Sequence, residues 1–156
     1  MLNMNFEEYP RFDQFKGKTI LSVDYGTKVT GLAFWGVGRE PFPGPYGKII
    51  YQNDDQVCQE IKTIYDDEAC DVIVVGLPLY ADGTDSEMTK RVRSFAAHLS
   101  ATIADAELHF QDETLSSFTA QERMKNSPRY GFKVDPKQLD ALAATIILED
   151  FIRHQD

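Results

Sequence analysis

Cysteine, histidine and long apolar runs are all scarce in this 156-residue chain. Its two cysteines, Cys58 and Cys70, are too few and too badly spaced for a metal knuckle or a disulfide scaffold. Both read as small apolar residues of a reducing compartment. The histidines His98, His109 and His154 lie far apart, with no HxxxH or HExxH pattern, which argues against a zinc site. No stretch approaches about 18 consecutive apolar residues, the length that spans a bilayer. The opening MLNMNFEEYPRFDQF is acidic and aromatic, with neither the basic nor the apolar segment of a secretory signal. A cytoplasmic protein with no membrane association is expected. Positive charge is scarce too: 16 Lys and Arg against 25 Asp and Glu give a net charge of −9. That balance disfavours nonspecific adhesion to polyanions but leaves room for a local basic face.

What is present is ordinary globular composition, 42% apolar and 12% aromatic, in a length that suits one domain. Residues 1–16 read as an N-terminal extension whose Phe6, Tyr9, Phe12 and Phe15 form an aromatic strip, with Pro10 against a continuous helix. Residues 17–156 form the domain. Strands are expected at Lys18–Asp24, Thr30–Trp35 and Lys48–Gln52, joined by turns and the Pro/Gly loop REPFPGPYG. Helical spacing of Val57, Ile61 and Ile64 marks Asp54–Asp67, and the apolar run Val72–Val75 reads as a strand covered on both faces. A helix over Ser86–Ser100 buries Met88, Val92, Phe95 and Leu99 and exposes Lys90, Arg91 and Arg93. A strand at Glu107–Glu113, a helix at Ser116–Lys125, the loop NSPRYGFK and a helix from Pro136 to about Arg153 complete the chain. The order implies an α/β fold: a mixed five-stranded sheet, an antiparallel three-strand meander plus parallel strands, with helices on both faces.

In such sheets ligands collect beyond the carboxyl ends of the strands. Three acids are expected at that edge: Asp24 ending the first strand, Glu113 ending the fifth with Asp112 beside it, and Asp140 among Leu139, Leu142, Ala143 and Ala144. Each has a plainer reading: Asp24 as an Asx turn, Asp140 as a helix N-terminal acid, Glu113 as a surface charge. Three carboxylates about 5 Å apart repel by roughly 3 kcal/mol per pair at an effective dielectric near 20. A divalent cation offsets such a cost, and all-oxygen donors suit Mg²⁺ or Mn²⁺. Strand parity favours Glu113 over Asp112, because Glu113 alternates with the polar His109 and Gln111.

The segments SVDYGTKVTG, VVGLPLYADGTDSEMTKRVRSFAAHL, FQDETLSSFTAQERM and LDALAATIILEDF, in order over about residues 20–153, resemble the YqgF/RuvX family of Holliday-junction resolvase-like proteins. The resemblance implies an RNase H-like fold with Asp24, Glu113 and Asp140 as catalytic and metal-holding acids. It implies a metal-dependent nuclease that hydrolyses phosphodiester bonds of structured RNA or branched DNA, in 5′-end processing of small-subunit pre-rRNA or in junction resolution. Ribosome-assembly factors are possible partners, and a monomer or a homodimer fits equally. Lys28, Lys90, Arg91, Arg93, Arg129 and Lys133 remain as phosphate-contact candidates, although Lys90, Arg91 and Arg93 equally suit a solvated helix face.

Two positions depart from the family. Lys28-Val29-Thr30-Gly31 stands where the family has K-R-I-G, and Asp112-Glu113-Thr114-Leu115 where it has D-E-R-L. Arginine there grips phosphate bidentately, so its loss implies weaker binding. The alternative is a catalytically weak or inactive RNase H-like module that binds RNA or a ribosome-assembly partner. An actin-like ATPase or sugar kinase, suggested by DYGT, requires a second RNase H-like half that 156 residues do not supply.

Overall fold

The computed structural model describes residues 9–113 and 115–153; Phe6, Thr114 and His154 lie outside the described residues. The elements run α1 (Phe12–Phe15), β1 (Thr19–Asp24), β2 (Val29–Gly36), β3 (Gly44–Ile50), α2 (Asp54–Asp67), β4 (Val72–Leu77), α3 (Glu87–Thr102), β5 (Glu107–Asp112), α4 (Ser116–Lys125) and α5 (Pro136–Arg153). The five strands form one sheet in the order β3-β2-β1-β4-β5. β1, β2 and β3 pair antiparallel, while β4 lies parallel to both β1 and β5.

Alternation along each strand divides the core in two. Leu21, Val23, Leu32, Ile73 and Val75 face α2 and α3, where they meet Val57, Ile61, Val92, Phe95 and Leu99. Ile20, Trp35, Val72 and Val74 face α5, where they meet Ile147, Leu148 and Phe151. α2 and α3 each begin in a capping box, built on Asn53 with Gln56 and on Ser86 with Thr89. On α3, Val92, Phe95 and Leu99 are buried and Lys90, Arg91 and Arg93 exposed, but Met88 is only partly covered, while Thr89 takes full burial beneath the Pro78 carbonyl.

The bounds of the third strand are corrected. The third strand is earlier and longer than Lys48–Gln52, beginning at Gly44. Prolines and glycines read there as loop, yet an edge strand tolerates Pro45, because only one side of its backbone has a partner. Of the N-terminal aromatics, Tyr9, Phe12 and Phe15 pack on the domain. Past Pro10 the chain makes the short helix α1, and Phe12 and Phe15 are buried against Trp35 and Phe151. NSPRYGFK contains a short 3-10 turn at Pro128–Tyr130, followed by Phe132 in the left-handed region at φ 61°.

Candidate active site

Helix α5 decides what sits above the sheet. It crosses that face from β2 to β5: the Asp140 backbone abuts Gly31, the Ala144 carbonyl accepts a 2.8 Å hydrogen bond from the Ser22 hydroxyl, Ile147 covers Gly76, and Phe151 reaches His109. Two glycines make the crossing possible. A Cβ on Gly31 would stand 2.1 Å from the Asp140 carbonyl oxygen. One on Gly76 would stand 2.6 Å from Ile147 Cδ1 and 3.0 Å from Glu113 Cδ. A glycine inside a strand is a signal of close approach.

The same geometry brings Asp24 and Glu113 into contact, with Asp140 near enough for its charge to act on Asp24. Asp24 is the last residue of β1, paired with Gly31, and faces α5 together with Ile20 and Ser22. On β5, Glu107, His109 and Gln111 pair with Val72, Val74 and Gly76 on that face, while Leu108, Phe110 and Asp112 turn to the other. The chain then leaves the strand with the Glu113 N–H donating to the Leu77 carbonyl, and the Glu113 carboxyl folds back over Gly76. There the Glu113 carboxyl donates a hydrogen bond to the Asp24 carboxylate, and Asp140 adds its field.

The electrostatics follow. Burial pushes the Glu113 carboxyl up to about 10, with the Asp24 charge and their shared hydrogen bond adding. The Ser116 hydroxyl donates to Glu113 and opposes the rise. Burial also raises the Asp24 carboxyl; its hydrogen bond with Glu113 works against that and the Asp140 charge with it. At neutral pH the Glu113 carboxyl therefore keeps its proton, directed at Asp24. Ser116 was missed by sequence reasoning; its signal was a hydroxyl three residues beyond an acid, at the start of a helix.

Among the described residues, no group of three or more His, Cys, Asp or Glu side chains is placed to hold a metal ion. The donor chemistry nonetheless fits a hard divalent cation. Two carboxyls in contact, partly withdrawn from water and holding a proton, are oxygen ligands whose repulsion a cation relieves better than a proton does.

The cations are distributed unevenly. Arg91 is committed to two tyrosines: Nε donates to Tyr25 Oη at 3.1 Å and Nη2 to Tyr51 Oη at 3.1 Å. Both tyrosine hydroxyls donate to Asp54 Oδ1, at 2.6 and 3.0 Å. Arg93 pairs with Asp85 and Lys90 with Glu87, all exposed. Lys28 is exposed in the β1–β2 turn. Arg129 lies over the Tyr130 ring, and Lys133 is exposed in the same loop.

A mixed sheet of this order, with acids gathered where β1 and β5 end, is the RNase H-like arrangement of nucleases and resolvases. The chain belongs to the RuvX family: residues 18–154 match its model, described as "RuvX: Holliday junction resolvase". A relative from Maridesulfovibrio salexigens, named "Putative pre-16S rRNA nuclease", is 38% identical over 136 residues, 85% of this chain and 96% of its own. Another of that name, from Pectobacterium carotovorum, is 36% identical over 90% of this chain and 99% of its own. Among solved structures, Thermus thermophilus RuvC in complex with a Holliday junction substrate superposes with TM-score 0.54 at 11% identity, covering 87% of this chain and 95% of that one. The yeast mitochondrial Holliday junction resolvase superposes with TM-score 0.54 at 12% identity, over 92% and 82%. At such identities these two establish the shared fold.

Proposed function

We propose that this chain is a divalent-metal-dependent nuclease of structured nucleic acid, with 5′-end processing of small-subunit pre-rRNA as its role and junction resolution as the other substrate class. The observation that carries the reading is the Asp24–Glu113 carboxyl pair with Asp140 beside it, at the carboxyl edge of the sheet. The pre-rRNA role is supported by the names of relatives that share a third or more of their residues with nearly the whole chain. Location in the cytoplasm accords with that substrate and with two free, buried cysteines. Among the described residues no helix is long and apolar enough to cross a membrane.

Asp24, Glu113 and Asp140 are the residues that would hold Mg²⁺ or Mn²⁺. Bound there, the cation supplies charge that stabilises phosphoryl transfer and activates the attacking water. The chain's own contribution is placement. β1 and β5 deliver their acids from one sheet edge, Gly76 leaves room for the Glu113 carboxyl, and Ser116 orients it by hydrogen bond. The proton on Glu113 must leave before both carboxyls can serve as anionic ligands.

One observation favours the alternative, a weakly active RNA-binding module. Val29 stands where the family has arginine, and Lys90, Arg91 and Arg93 are already engaged by this chain's own side chains. Cleavage assays on pre-rRNA fragments and four-way DNA junctions, with Mg²⁺, Mn²⁺ or chelator, separate the two. Metal-dependent cleavage that Asp24→Asn abolishes supports the nuclease; binding without cleavage under every metal supports the module.

A further inference from the structure

The sheet row that holds Asp24 continues past it. Asp24 pairs with Gly31, and Gly31 pairs with Lys48. Residues paired across neighbouring strands share a face, so Lys48 lies on the α5 side, two strands or about 10 Å from Asp24. Because α5 crosses the sheet obliquely, its first turns overhang β3 beyond Gly31. Between them opens a cavity of about 240 Å³, lined by Pro45, Lys48, Tyr130, Lys137, Gln138 and Ala141 among others. Lys48 and Lys137 are both exposed there.

Asp135 is the acid facing this pair. Its Oδ2 accepts from Gln138 Nε2 at 2.7 Å and its Oδ1 from the Lys137 backbone N–H at 2.9 Å. Those bonds hold its carboxyl below the usual range, and the charges of Lys137 and Lys48 add to them. Two ammonium groups against one engaged carboxylate leave the groove net positive, on a chain whose total is −9. Cations over a cavity beside an aromatic ring are the chemistry that receives a nucleotide: phosphate between the amines, and the edge of the Tyr130 ring, which carries Arg129 over it, toward a base.

We infer that this groove is a binding subsite for the sugar-phosphate strand flanking the scissile bond, with Lys48 and Lys137 on phosphate oxygens and Tyr130 beside a base. The inference rests on the nuclease reading, since it takes the Asp24 row as the place of cleavage. It also gives a direction to the substrate: the strand leaves the carboxylates across β2 and β3, away from β5. The cations on α3 belong to the helix layer on the opposite face of the sheet.

The test is fluorescence anisotropy with a fluorescein-labelled RNA hairpin carrying a single-stranded 5′ extension, in chelator so that nothing is cut. Lys48→Ala/Lys137→Ala is compared with the parent and with Lys18→Ala/Lys62→Ala, which removes equal charge elsewhere. Loss of two phosphate contacts should weaken binding on the order of tenfold near 0.1 M salt and flatten the slope of log K against log salt by about 1.4. The control should move little, and Lys48→Arg/Lys137→Arg should restore affinity. Equal weakening in groove variant and control, or a parent that does not bind the RNA, overturns the proposal. Cleavage is scored separately with Mn²⁺: a groove-dependent binder that cuts nothing defeats the nuclease reading alone, and a nuclease indifferent to both lysines defeats the groove alone.

Discussion

Gly76 leaves the space that the Glu113 carboxyl fills. A Cβ there would meet Glu113 Cδ at 3.0 Å and Ile147 Cδ1 at 2.6 Å. Both obstacles are side-chain ends that can yield, so Gly76→Ala should fold, destabilised by about 1–3 kcal/mol. It should also lose much of its thermal stabilisation by Mn²⁺, because Glu113 is displaced from Asp24. Gly31→Ala meets backbone, the Asp140 carbonyl oxygen at 2.1 Å, and should cost distinctly more. Urea unfolding with and without Mn²⁺ ranks the two. A Gly76→Ala protein that keeps its full response to metal would mean Glu113 does not act from this position.

Tyr25 follows Asp24 directly but faces the other way, stacked on Phe95 at 4.2 Å and bonded to Asp54 and Arg91. Tyr25→Phe keeps the stacking and removes the hydroxyl, and should lower stability by about 1 kcal/mol. Arg91→Ala should change RNA affinity little, because two of its N–H groups hold Tyr25 and Tyr51 and it lies on the α2 and α3 side of the sheet, away from the acids. An affinity loss in Arg91→Ala, with thermal stability retained, would return Arg91 to the phosphate contacts.

These contrasts mark where the sequence was legible. α2, α4 and α5 announce their bounds through helical periodicity, Pro136 and clean breaks. β1 and β4 announce themselves as apolar runs. Alternation along β5 was legible in Leu108, Phe110 and Asp112 against His109 and Gln111, but Glu113 lies past the last residue of the strand and meets Asp24 by folding back over Gly76. β3 did not announce itself, because Gly44, Pro45 and Gly47 carry loop chemistry and only position at the sheet edge makes them a strand. The hydrogen bond from Glu113 to Asp24, and the spaces over Gly31 and Gly76, depend on α5 lying across strands that are distant in the chain. No local pattern records that crossing. The same holds for Lys48, which reads as an ordinary strand lysine until register puts it in the Asp24 row.

Val29 shares the face of Gly31, and thus of Asp24. Val29→Arg should therefore place a guanidinium on the catalytic side, tighten RNA binding and steepen the salt slope by about 0.7 for one added single-strand phosphate contact. Anisotropy titrations across a salt series measure both. No change in slope would show that position 29 does not reach phosphate.

The carboxyl pair makes a signed prediction about pH. Glu113 is raised from 4.5 to about 10 in the folded protein. A raised carboxyl binds its proton in the folded state while the unfolded chain has released it. Its contribution is therefore fully present below about pH 4.5 and is lost progressively as pH rises toward 10. In chelator, the parent should lose stability across that window. Glu113→Gln keeps a donor toward Asp24 but carries no charge, so it should flatten this dependence and melt higher than the parent at pH 8, by on the order of 1–3 kcal/mol. Millimolar Mn²⁺ should reverse the order, because a ligand stabilises the state that binds it and the amide is the poorer ligand. Asp24→Asn and Asp140→Asn should likewise gain in chelator and lose the response to Mn²⁺. The measurement is thermal melting of the four proteins from pH 5 to 9, each with chelator and with Mn²⁺. A turn or cap acid behaves oppositely: its amide melts lower in chelator and still answers to metal. Should Asp24→Asn do that, the acid closing β1 serves the backbone, and the metal site must be sought elsewhere.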